Sequence, residues 1–109
     1  MTGNKILEGA ASLMGFELPS EEMVKIAPTV INFVLEDLNF SSIKSMEEEI
    51  TLNDIEANAC MVGAAMLLSV AIGDMRCKDC FSVIYNEKRS RIRTASSFVL
   101  DSLPKGEML

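Results

Sequence analysis

The sequence predicts an all-α protein, a compact bundle of about four helices with a long C-terminal helix. Three observations carry that prediction. Apolar residues recur at steps of three and four in each long segment. No segment shows a clear period of two, as a half-buried strand would. One central run, Ile55 to Ile72, is apolar almost all round, which marks a helix buried on most of its faces.

Asn4 to Met14 reads as a short first helix. Ile6, Leu7, Ala10, Leu13 and Met14 form its stripe, and Gly15 is its stop. Phe16 to Pro19 is a linker, and residues 1–19 form an N-terminal helix and linker ahead of the rest of one domain, 1–109. Ser20 caps a second helix with Glu21 and Glu22 in its first turn. Its stripe is Met23, Ile26, Val30, Phe33 or Val34, and Leu38, with an end near Asn39. Pro28 removes one backbone hydrogen bond, so a kink or break is expected near Lys25–Ala27. Phe40 to Asn53 is the least regular part and is read as loop, with a helical turn or short extended segment as variants.

The third helix is the central run. Ile55, Ala59, Val62, Met66 and Val70 keep helical spacing, and Ala59, Cys60, Gly63 and Ala64 let neighbouring backbones approach. Thr51 or Asn53 caps it, Asp54 and Glu56 suit its positive end, and Gly73 stops it. A membrane span is the rival reading. The uncharged part, Ala57–Gly73, sits at the short edge of the roughly 17–25 residues a span needs, and its flanks lack an aromatic belt. The buried-helix reading outweighs it. The last helix starts at Met75 or Lys78 and ends at Asp101 or Leu103. Its stripe is Cys77, Phe81, Ile84, Tyr85, Ile92, Ala95, Val99 and Leu103, and Pro104 and Gly106 end it. Lys105–Leu109 reads as a mobile tail.

Composition narrows the function classes. The formal net charge is -6, which disfavours a sequence-blind nucleic-acid binder. The charge is uneven. Through Glu56 the bases are Lys5, Lys25 and Lys44 against eleven acids, whereas bases outnumber acids from Ala57 onward. That asymmetry favours association between unlike faces of sister copies, or a basic partner. With no His, the commonest general base and zinc ligand is missing. Three Cys do not close a disulfide framework and fit a reducing cytosol. The N-terminus lacks the apolar core of a secretion signal.

Few motifs carry chemistry. Cys77 and Cys80 have redox or metal spacing, but no strand precedes them and a closed zinc site would need Cys60 and an Asp to complete it. Small apolar filler is the plainer role. The paired acids Glu36 and Asp37, and the run Glu47 to Glu49, read as solvated surface. No nucleophile set, phosphate-cradling loop or metal set accompanies them, so no catalytic, cofactor or metal residue is assigned and no enzyme is expected. The basic cluster Lys88, Arg89, Arg91 and Arg93 is either a solvated helix face or a surface meeting Glu47, Glu48 and Glu49 of a neighbouring copy.

Four features together resemble the small head-to-tail connector proteins (head-completion or neck adaptors) of tailed phages and prophages. They are the segment Ala27–Asn39, the small-residue helix Asn58–Ile72 ending in Gly73-Asp74, the string Phe81-Ser-Val-Ile-Tyr-Asn-Glu-Lys-Arg89, and the ending Asp101-Ser-Leu-Pro104. The likeness spans about Ser20 to Pro104. The short first helix and the Cys pair lie outside the pattern. The resemblance implies a structural virion protein without catalytic residues or cofactor. Such proteins form a homo-oligomeric ring in the virion neck, typically of twelve copies, assembled in the host cytoplasm. The ring sits under the portal and docks the next neck or tail-completion protein. Packaged DNA passes through it without sequence-specific binding, and no membrane is involved. Two other readings stand beside it. One is a small cytoplasmic helical interaction or regulatory module with a Met-rich groove, and the other is a Cys-based metal or redox protein.

Overall fold

The computed structural model describes residues 1–101, with side chains through Thr94. Four helices follow in order: α1 Gly3–Leu13, α2 Glu21–Asp37, α3 Asp54–Ala71 and α4 Met75–Asp101. Among the described residues there is no strand, only one isolated antiparallel bridge between Thr2 and Glu49. The tail from Lys105, the stripe positions Ala95, Val99 and Leu103, and the stop at Pro104 and Gly106 lie outside the described side chains.

Local chemistry sets each boundary. Thr2, Ser20 and Asn53 accept from the third residue of α1, α2 and α3 respectively. At α3 the cap is reciprocal, because the Glu56 carboxylate accepts from the Asn53 N–H at 3.0 Å. Asp74 takes the same role for α4, accepting from the Cys77 N–H at 3.1 Å. The first three helices close with the same paired hydrogen bonds, at Gly15–Phe16, Asn39–Phe40 and Gly73–Asp74. The turn at Gly73 has φ +79, a conformation that needs no Cβ, and Asn39 reaches φ 65 in the equivalent place.

The break expected in α2 does not occur. The helix runs continuously through Pro28, which lies on the exposed face with Val24. The carbonyl left without a donor is that of Val24, on the water side, while Met23, Ala27, Ile31, Val34 and Leu35 keep an uninterrupted buried stripe. Burial of that stripe outweighs the missing bond.

The other three helices all pack on α3. Its buried residues, Ala57, Ala59, Cys60, Val62, Gly63, Ala64, Ala65, Leu68 and Ser69, are mostly small, so three neighbours fit around one axis. By length and composition α3 could cross a membrane, yet here it is the axis of the bundle. Two residues of its expected stripe face outward instead, since Ile55 is 65% exposed and Val70 47%. Among the described side chains of α4 only Tyr85 is buried outright, and Ile84, expected inside, is exposed.

The 40–53 segment is an irregular loop, as read, but it is pinned at three points. The Asn32 side chain both accepts from the Ile43 N–H at 2.7 Å and donates to its carbonyl at 3.0 Å. The Asn4 N–H reaches the Met46 carbonyl, and the Ile50 N–H reaches that of Met1. These bonds seat Ile43 in the core.

Candidate functional site

A polar node forms where α2 ends beside α4. Residues 85, 89 and 93 are spaced one turn apart, so Tyr85, Arg89 and Arg93 project from one side of α4. All three converge on Asp37. Its carboxylate accepts from the Tyr85 hydroxyl at 2.6 Å and from the Arg89 guanidinium at 2.7 Å. Arg93 donates to the Asp37 main-chain carbonyl at 2.7 Å, closing an end of α2 that has no other cation in its last turn. Partial burial opposes ionisation of Asp37. The hydrogen bonds from Arg89 and Tyr85 and the nearby Arg charges outweigh it, so the carboxyl titrates below its ordinary value. Tyr85 is pushed the other way, first by burial and then by bonding to the carboxylate.

Beneath the node the backbones come close. A Cβ on Gly63 would stand 2.6 Å from the Tyr85 ring and 3.0 Å from Val34. Residues of α2, α3 and α4 therefore meet at one point, which fixes the angle of α4.

Beside the start of α3, against the middle of α4, lies an open cleft of about 450 Å³ lined by Asn53, Asp54, Ile55, Glu56, Asn58, Lys88, Arg91 and Ile92. The expected basic cluster therefore divides. Arg89 and Arg93 belong to the node, whereas Lys88 and Arg91 line the cleft, with Arg91 paired to Glu87 at 2.6 Å. The acidic run also divides. Glu49 pairs with the Met1 amino group, Glu48 accepts from the Lys44 N–H, and Glu47 is exposed. Within one chain the structure does not bring Glu47–Glu49 to the basic cluster.

The cysteines are free. Burial and the Glu56 charge push the Cys60 thiol up to about 12. Cys77 is raised chiefly by its hydrogen bond to Asp74, and Cys80 is exposed. Among the described residues no three His, Cys, Asp or Glu side chains gather as a metal site would require.

Sequence reading missed Asp37 as the centre of the node, because an acid beside Glu36 looks solvated. The available signal was the spacing Val30, Val34, Asp37, which keeps Asp37 on the edge of the buried stripe, together with three unmatched α4 donors one turn apart. No family model, curated protein or solved structure matches this chain.

Proposed function

We propose that this chain is a structural protein of a tailed-phage or prophage particle. In this reading it forms the neck ring that joins the portal of the DNA-filled head to the tail. The observation that carries the reading is where three of the four resemblance-bearing segments go. Ala27–Asn39 supplies Val34 and Asp37, Asn58–Ile72 supplies Gly63, and the Tyr85–Arg89 string supplies Tyr85 and Arg89. These residues are the node and the close approach beneath it. The resemblance-bearing strings thus coincide with the device that orients α4, which gives three separated strings a reason to occur together.

Surface character supports an assembly role. Leu18, Phe33, Ile55 and Val83 are each more than 60% exposed, on four different elements of a small domain. A ring subunit meets a neighbour on each side and different proteins above and below, so several separate apolar contacts are what it needs. In the same proposal the basic side of the subunit contact narrows to Lys88, since Asp37 holds Arg89 and Arg93 and Glu87 pairs with Arg91. Glu47, Glu48 and Glu49 offer one acidic edge, which also suits a channel that lets DNA slide.

Mass photometry and negative-stain imaging of the purified chain test this reading. Large closed rings, alone or on a portal ring, are expected. A monomer or dimer under both conditions favours the small interaction module.

A further inference from the structure

We propose that Cys77 and Cys80 form a reversible dithiol–disulfide site that exchanges with small disulfides of the glutathione type, and that closing the bond competes with the Asp74 cap of α4. The inference stands apart from the ring-forming reading. It starts from the surroundings of the three thiols. Cys60 belongs to the buried core, whereas Cys77 is half-buried outside the apolar cluster and Cys80 is exposed. Neither member of the pair fills the core, so the filler role expected of them is not met. Among the described residues no group of three donors collects around them, so exchange chemistry suits the pair better than metal ligation.

Cys77 and Cys80 lie one turn apart at the start of α4. Residues three apart in an α-helix have Cα atoms about 5 Å apart, inside the roughly 4.4–6.8 Å that a disulfide bridges. Their Cβ atoms, about 5–6 Å apart, must come within roughly 3.5–4.5 Å. Closing the bond therefore draws in the first turn by about an ångström. Asp74 holds that turn where it is. Its carboxylate accepts from the Cys77 N–H at 3.1 Å and also from the Cys77 thiol. Both bonds belong to the reduced form, so the cap and the free dithiol stabilise each other.

The step balances without a further reactant. The Cys80 thiolate attacks one sulfur of the small disulfide, forming a mixed disulfide and releasing one small thiolate. Cys77, freed from Asp74, loses its proton and attacks the Cys80 sulfur, releasing the second. The pair gives up two electrons, the small disulfide gains them, and the two protons end on the released thiols. Excess small thiol reverses the exchange readily, because the bond is exposed and distorts the helix.

The full chain, equilibrated in mixtures of reduced and oxidised glutathione, quenched with acid, alkylated and mapped by mass spectrometry, tests the site. An internal Cys77–Cys80 bond is expected, with Cys60 still free. Amide exchange at residues 75–78 quickens in the oxidised form and slows again on reduction. Asp74→Ala removes both bonds to Cys77 and shifts the equilibrium towards the disulfide about fivefold. Asp74→Asn, which still caps the helix, stays near the parent value. Asp74 is exposed, and protection of the buried Cys60 from alkylation shows that each variant is folded. Glutathione adducts or cross-linked chains in place of the internal bond would overturn the site. An internal bond whose equilibrium is the same in Asp74→Ala would overturn its competition with the cap.

Discussion

The Tyr85 hydroxyl donates a 2.6 Å hydrogen bond to the carboxylate of Asp37, 48 residues earlier in the chain. The ring of Tyr85 is buried against Gly63 while its polar tip reaches the end of α2, so one side chain serves packing and orientation together. Arg89 and Arg93 add charge to the same junction.

Asp37→Asn removes the counter-charge and leaves two guanidinium groups facing an amide. The half-exposed setting moderates the loss, which we expect at about 1–2 kcal/mol, with Tyr85→Phe costing about 1 kcal/mol. Urea unfolding followed by circular dichroism measures both. The pH dependence has a definite sign. The folded Asp37 carboxyl titrates below its ordinary 3.8, so the unfolded chain binds its proton first as pH falls. Its contribution is complete above about pH 5 and is lost as pH drops through the folded value. The Asp37→Asn variant lacks this component of the acid limb.

Gly63→Ala and Gly9→Ala separate two kinds of close contact. At Gly63 the new methyl meets a Tyr85 ring held at both ends, so overpacking exceeds the helix-propensity gain and stability falls by about 1–2 kcal/mol. At Gly9 it meets the Met61 thioether, on a flexible side chain that can move aside. Thermal unfolding should show the Gly63 variant as the less stable of the two.

Asn32→Ala removes both bonds to the Ile43 backbone and frees the middle of the 40–53 loop. The expected cost is about 1–3 kcal/mol. Faster amide exchange and proteolysis confined to residues 40–53 would accompany it, and unchanged protection there would refute the pinning role.

Thiol labelling should proceed in a set order. Cys80 reacts first, being exposed, and Cys77 follows, slowed by its bond to Asp74. Cys60 is 1% exposed and its thiol is raised to about 12, so it reacts only at the rate of unfolding. Mass spectrometry of partly labelled protein resolves the sequence of events.

Helix positions were legible because they follow from local chemistry. Ser20, Asn53 and Asp74 cap where their residue type predicts, and Gly15 and Gly73 stop their helices. The role of α3 as the axis was legible from its small side chains. Partner choice was not. Asn32 and Asp37 look like solvated polar residues until the chain brings Ile43 and Tyr85 to them from 11 and 48 residues away. The chain does not break at Pro28 for a related reason, since the periodicity shows that a stripe exists but the stabilisation from burying it comes from α3. The cleft needed two helices in register, so only its Lys88 and Arg91 were anticipated.

The central claim is that this chain is built to assemble with copies of itself. The most direct test is the native mass of the purified protein across a wide range of concentration, alone and mixed with a tailed-phage portal ring. The account predicts a discrete closed multimer that forms in at least one of these settings and weakens as salt rises. A single-chain mass under every condition would contradict it.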